Sequence, residues 1–421
     1  MKFKSTLEFA ELLDAQDPLR ARRDHFFIPN DEYGQPKIYF TGNSLGLQPK
    51  IAGSFVEQEM KDWANLGSKG HLHAQNPWLH YHKLLKKGLA SVVGAKESEV
   101  SAMQSLTTNL HLMMTTFFRP TKERHKILML KNAFPSDQYA IKSQLRLHGL
   151  SEASSLIQIG PKASEGTLDP EELCKTIQEH GKEIALILIE GVSYLTGQFF
   201  DLKTITELGH QYGCKVGFDL AHAAGNVPLQ LHDWNVDFAV WCNYKYLNSG
   251  PGAVGGCFVH EKYSNQQDLP RMEGWWGHSE GRRFLMEPNF QPMEGVDAWQ
   301  LSNVPIISAS LLRASLSIFD EVGMNTLRQK SLILTGYLEF LLNEHCDQKL
   351  KIVTPSNPDQ RGCQLSIAFE NDAKSIFDRL ITSGVSCDWR EPNIIRVAPV
   401  PMYNSFEEVY QFVQIINRLK Q

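Results

Sequence analysis

The stretch GFDLAHAAGNVPLQLHDWNVDFAVWCNYKYLNSGPG, Gly217 to Gly252, decides the fold. It contains two short apolar runs, one ending at Asp219 and one, DFAVW at 237–241, ending just before Lys245. Runs of this length without polar alternation predict strands buried on both faces of a parallel sheet. Such sheets bind ligands beyond the carboxyl ends of their strands, so Asp219 and Lys245 should converge on one mouth. Asp219 could instead cap a helix, and Lys245 could be a surface amine on a snorkelling stem. The second alternative leaves unexplained the small residues that follow, Gly250, Pro251, Gly252, Gly255 and Gly256, which suit a loop passing close to a ligand.

Working outward, KILML (126–130), EIALILIE (183–190) and CKVGFD (214–219) are further buried-strand candidates. Helical patterns lie between them, SDQYAIKSQLRLHG and DLKTITELGHQYG, the latter closing on Gly213. This alternation predicts an α/β fold with helices covering a mostly parallel sheet. After SNVPI (302–306) come long helical patterns to about 345, then CQLSIAFE, NDAKSIFDRLITSG, NIIRVAP and SFEEVYQFVQIINRLK, which suggest a smaller α+β domain. The expected division is an N-terminal segment, 1–50, joining the small domain; a large ligand-binding domain, 51–305; and the small domain, 306–421.

At 421 residues, 42% of them hydrophobic and 21% charged, the chain is ordinary globular protein of more than one core. A formal net charge of −5 offers no basic footprint for nucleic acid or anionic membrane, and no apolar run approaches bilayer length. Small molecules are the expected partners. The seven cysteines, Cys174, Cys214, Cys242, Cys257, Cys346, Cys363 and Cys387, never form a CxxC pair, so reduced core thiols are expected rather than a metal site or disulfides. The N-terminus lacks an uninterrupted apolar segment, and a cytoplasmic location is expected.

An acid and a lysine at neighbouring strand ends suit pyridoxal 5'-phosphate, whose aldehyde condenses with a lysine and whose pyridine nitrogen needs a carboxylate to stay protonated. Its phosphate needs donors, and MQSLTTNLHLMMTTFF places Ser105, Thr107 and Thr108 at a helix start, where N–H groups and dipole favour anions. Ser and Thr also cap most helices. NAFPSDQYA adds Phe134, able to lie on a pyridine face, before Pro135, Ser136 and Asp137, although Asp137 could be a plain cap. Arg396, in the apolar IIRVAP, requires an anion, either a substrate carboxylate held in bidentate fashion or an internal acid such as Glu391.

FTGNSLGLQPK (40–50), NAFPSDQYA, the opening stretch, GWWGH (274–278) and IIRVAPVPMYNSF (394–406) together resemble kynureninase, a pyridoxal-phosphate enzyme family related to the class V aminotransferases. The similarity runs in consistent order from about residue 40 to 410. It implies fold type I, aspartate aminotransferase-like, with a mostly parallel seven-stranded sheet, and a homodimer with the active site at the interface. It also implies hydrolysis of the Cβ–Cγ bond of L-kynurenine or 3-hydroxy-L-kynurenine, in tryptophan catabolism and NAD biosynthesis. By resemblance Lys245 is the Schiff-base lysine, Asp219 the partner of the pyridine nitrogen and His222 a further cofactor contact. Leu106, Thr107 and Phe134 to Asp137 match cofactor-binding positions, with Phe134 as the stacking ring. Tyr244, Trp275 and Asn303 match residues at the phosphate end and substrate side; Ser44, His71 and Arg396 match substrate contacts. One departure concerns the strand end in LILIEGVSY, where the family often shows a hydroxyl and this chain has Glu190, with Ser193 later; neither is assigned.

Trp275 could equally be a core aromatic. His71 and His73, two apart, could suggest a metal, but no third ligand stands nearby. The chemistry assigns Lys245 as general base at Cα and Tyr244, beside it, as the acid that protonates the alanine fragment. Trp275, His71 and Asn303 suit a flat, partly polar aryl pocket, favouring acceptance of a ring hydroxyl. The competing readings are a cysteine desulfurase, for which Cys387 is the tempting thiol, and a non-catalytic scaffold of the same fold.

Overall fold

The computed structural model describes residues 2–161, 166–345 and 350–419. Its first strands in chain order are β1 (Ile38–Tyr39), β2 (Val100–Ala102), β3 (Lys126–Leu130), β4 (Leu156–Ile159), β5 (Ile184–Glu190), β6 (Lys215–Asp219), β7 (Phe238–Cys242) and β8 (Gly255–Val259). Seven of them form one sheet in the order β2-β8-β7-β6-β5-β3-β4. The run from β7 to β4 is parallel, whereas β8 pairs antiparallel with both β7 and β2. Every residue of β5 and β7 is buried, which is why their sequences show no alternation.

The smaller domain contains β9 (Leu350–Ile352), β10 (Leu365–Phe369), β11 (Val385–Ser386), β12 (Asp388–Arg390) and β13 (Ile394–Val397). Four of these make an antiparallel sheet in the order β12-β13-β10-β9, backed by the helices Ala373–Thr382 and Phe406–Leu419. Its core, including Leu338, Leu342, Ile367, Ile395 and Phe412, is separate from that of the large sheet and also takes in Ala10, Leu13, Ile38 and Phe40 from the N-terminal segment. That segment is tied in by hydrogen bonds as well. β1 pairs in parallel with β11, Thr41 bridges to Ala398, and the Asp14 carboxylate accepts from the N–H groups of Phe406 and Glu407 at the start of the last helix.

The helix Ile306–Val322 begins at the expected break near 306, yet it buries Ala309, Leu312, Leu316 and Phe319 in the larger core, against the helices Ala52–Leu66 and Lys83–Val93. Apolar spacing shows that a helix has a buried face but not which core receives it.

Candidate active site

The strands β3, β5, β6 and β7 end on one rim, where a cleft of about 480 Å³ opens, lined by Leu106, Thr107, Phe134, Ser136, Asp137, Glu190, Val192, Tyr194, Asp219, Ala221, His222, Tyr244 and Lys245. Asp219 is the last residue of β6 and is held by the N–H of Ala221 at 2.7 Å. Lys245 follows β7 in a tight turn whose next residues, Tyr246 and Leu247, are buried and anchor it in the core. Two outside braces grip the turn: the Gly46 N–H donates to the Tyr244 carbonyl at 2.8 Å, and Ser315 Oγ donates to the Leu247 carbonyl at 2.5 Å. Only glycine fits at 46, because a Cβ there would lie 2.2 Å from the Lys245 carbonyl oxygen.

Lys245 Nζ hydrogen-bonds His222 Nε2 at 3.0 Å, and His222 Nδ1 is buried without a partner among the described residues. Burial, then the charge of Lys245, holds the imidazole well below its ordinary range, so it is neutral. Three buried carboxyls, Asp137, Glu190 and Asp219, line the same cleft. Burial pushes all three upward, with the charges of Asp219 and Glu190 adding to the effect at Asp137. The Asp137 carboxyl is thereby pushed well above its ordinary range, toward the protonated form, whereas the Ala221 N–H and the charge of Lys245 favour the charged form of Asp219. The Tyr244 phenol, pushed up by burial and by neighbouring Cys242, is protonated.

Two helix starts meet at this cleft, Leu106–Phe117 after Ser105 and Pro135–Leu147 after Phe134, with Thr107 Oγ1 and Ser136 Oγ 2.8 Å apart. Neither helix has a side-chain cap, so first-turn N–H groups and two hydroxyls face one point. Ser105 and Thr108 instead bond each other and lie outside the lining. The donor set fits pyridoxal phosphate: helix-start N–H groups and hydroxyls for a phosphate, the Phe134 ring for a pyridine face, carboxyls for a ring nitrogen and the Lys245 amine for an aldehyde, all lining one cleft. Pro135 opens the Phe134 helix without itself lining the cleft.

Other expected residues lie elsewhere. Ser44, His71 and Asn303 are exposed and line no part of this cleft, and His71 packs edge-on against Trp78. Trp275 is neither core nor lining; it is 47% exposed and donates Nε1 to the Arg283 carbonyl. Arg396 is buried, but its internal acid is Asp388, its register partner across β12 and β13, in a bidentate pair. Glu391 instead accepts from Trp389. A third Arg396 bond goes to the Tyr194 carbonyl. The glycine-rich run does not line the cleft: Gly255 and Gly256 belong to β8, where a Cβ at Gly255 would lie 3.1 Å from the Leu106 nitrogen and one at Gly256 2.0 Å from the buried Trp241 indole. Sequence reasoning overlooked Val192, Tyr194 and Ala221, none of which carries a motif.

The described cysteines are buried apart from the half-buried Cys174, and burial pushes the Cys387 thiol up to about 12; Cys346 lies outside the described residues. Glu99, His232 and His260 bring ligand atoms within 4.8 Å of one another. However, the two imidazoles stack 13° from parallel, so no single ion can lie in both ring planes. Glu99 spends its oxygens on His232 and on the N–H groups of Lys96 and Glu261. No helix among the described residues is long and apolar enough to cross a membrane.

The family model described as the kynureninase C-terminal domain matches residues 327–416. The chain is 52% identical to a kynureninase of Koribacter versatilis over 98% of this chain and 97% of that one, and 52% identical to a kynureninase of Flavobacterium psychrophilum over 99% of each. Among solved structures it resembles a C-DES mutant with glycine covalently linked to its PLP cofactor (TM-score 0.77, 17% identity, 90% of this chain and 96% of that one). A cysteine desulfurase from Thermococcus onnurineus gives 0.74 at 18% identity, over 91% and 94%. At such identity these two establish the fold alone, fold type I of the pyridoxal-phosphate enzymes.

Proposed function

The chain belongs to the kynureninase family, and from that premise we propose how its cleft carries out the family's reaction. The enzyme hydrolyses the Cβ–Cγ bond of kynurenine or its 3-hydroxy derivative to L-alanine and anthranilate or 3-hydroxyanthranilate, with pyridoxal 5'-phosphate as cofactor. The observation that carries the residue roles is that Lys245, Asp219, Asp137 and Phe134 line one cleft.

Bound there, pyridoxal phosphate supplies the electron sink for carbanions at the substrate's Cα and Cβ. Phe134 would lie on its ring and Asp219 would hold its nitrogen protonated, with Asp137 retaining the proton the two carboxyls share. Thr107, Ser136 and the two helix starts would hold its phosphate. The Lys245 amine takes the proton from Cα, and neutral His222 orients that amine as a hydrogen-bond acceptor at Nε2. Tyr244, protonated and next to Lys245, gives a proton to the alanine fragment. Arg396 would bind the substrate carboxylate, shifting from its pairing with Asp388.

The active site is completed by a second copy of the chain, and the enzyme works as a homodimer in the cytoplasm. Ser44, His71, Trp275 and Asn303 lie outside their own cleft, so they would serve the partner's. Met272, Trp275, Phe284, Leu285 and Met286 leave roughly half or more of their surface exposed, and Trp275 and Phe284 meet edge to face at 5.5 Å, the kind of apolar face a subunit contact covers. The desulfurase reading lacks an accessible thiol at the cleft among the described residues.

Purified protein should be yellow and convert kynurenine to equimolar alanine and anthranilate. A colourless wild type that takes up no added pyridoxal phosphate would overturn the assignment.

A further inference from the structure

Glu190 is the last residue of β5, the register partner of Asp219 on β6, and 4% exposed. Both of its oxygens accept from backbone: Oε1 from Phe134 N–H at 2.7 Å and Oε2 from Tyr194 N–H at 3.1 Å. These two residues lie on separate loops, one after β3 and one after β5, and their rings meet edge to face at 5.3 Å and 84°. Both rings line the cleft beside Asp219. A single side chain thus ties together the two halves of an aromatic wall, at a position where a shorter hydroxyl has only one oxygen to offer. The Tyr194 peptide is also gripped from its other side, since its carbonyl accepts from Arg396 and from Gln364.

We propose that Glu190 is a positioning residue for the cofactor ring: by accepting both N–H groups it holds Phe134 and Tyr194 at the spacing that lets Phe134 lie flat over a ring anchored on Asp219. This rests on the kynureninase reading and extends it to a residue to which the resemblance gives no role. Both partners are donors, so the acceptor count matters more than size. In Glu190→Gln, one N–H faces the amide Nε2 instead of an oxygen. Fixing Phe134 affects the cofactor only through that ring, so the effect of Glu190 should disappear when the ring is gone.

The test titrates pyridoxal 5'-phosphate into cofactor-free wild type, E190Q, Phe134→Leu and the double variant, following bound-cofactor absorbance. Leaving one buried N–H without its acceptor predicts roughly 10- to 100-fold weaker binding in E190Q, with a shifted absorbance maximum. In the F134L background the same change should cost less than about threefold. Wild-type affinity and spectrum in E190Q, or fully additive losses in the double variant, would overturn the inference. Hydrogen exchange on cofactor-free wild type gives a reading independent of any variant's folding: the Phe134 and Tyr194 amides should be strongly protected, and exchange at the rate of open solvent would refute the clamp. Failure of the wild type itself to bind cofactor would count against the function, not against Glu190.

Discussion

Lys245 Nζ and His222 Nε2 stand 3.0 Å apart on a rim where the imidazole is neutral, so the lysine has an acceptor waiting rather than a competing cation. If Lys245 is the amine that binds cofactor and moves the Cα proton, kcat of Lys245→Ala should fall by at least about 10³. Lys245→Arg keeps the charge but cannot give up its proton near neutrality. It should be equally inactive in an assay of alanine release. Appreciable turnover by the arginine variant would show that the lysine acts only as a charge.

Tyr244→Phe keeps the ring in place and deletes the proton. If the phenol protonates the alanine fragment, kcat for alanine formation should drop by about 10²–10⁴ while the cofactor is retained. An unchanged rate in a fully loaded variant would move that role elsewhere.

Glu190 has its carboxyl raised from an ordinary 4.5 to about 8, chiefly by burial, amid Asp219, Asp137 and Lys245. The folded state therefore binds more protons than the unfolded chain between those values, so the contribution of this group is fully present below about 4.5 and is lost as pH rises through about 8. Asp137 and Asp219, also raised, act in the same direction. Thermal melts of the cofactor-free protein should show Tm falling from pH 5.5 to 8.5, with a shallower slope in E190Q. A slope of opposite sign would contradict the burial argument.

A chain carrying Lys245→Ala and a chain carrying His71→Ala should each be nearly inactive alone. If His71 serves the partner's cleft, unfolding and refolding them together yields hybrids with one intact site, recovering about a quarter of wild-type activity. No recovery in a mixture verified to contain hybrids would place His71 in its own subunit's site.

Arg396→Lys replaces a planar fork with a point charge. KM for kynurenine should rise roughly 10- to 100-fold with a smaller effect on kcat, as steady-state kinetics would show. A change confined to kcat would mean that Arg396 does not hold the substrate carboxylate.

Much of this site was visible in the chain because its chemistry sits at strand ends. Asp219 and Lys245 each follow an unbroken apolar run, and such runs mark both the strand and the rim where it stops. The helix starts near Thr107 and Ser136 carried hydroxyl signals for the same reason. Tyr194 gave no signal: its peptide matters through contacts with Glu190 and with Arg396, 202 positions away. The partner of Arg396 depended on register, since Asp388 faces it across β12 and β13 whereas Glu391 lies past the strand end. The small residues after Asn248 were misplaced because glycine tolerated for close approach looks the same whether the neighbour is a ligand or the Trp241 indole.

The N-terminal segment pairs with β11, bridges to Ala398, caps the last helix through Asp14 and braces the Tyr244 carbonyl through Gly46. Apart from the Gly46 brace, these are contacts of high sequence separation, 392 positions between Asp14 and Phe406, and such contacts form slowly because a long loop must close first. The segment that braces the Lys245 turn through Gly46 is itself held by such contacts, which ties the order of that turn to the docking of the small domain.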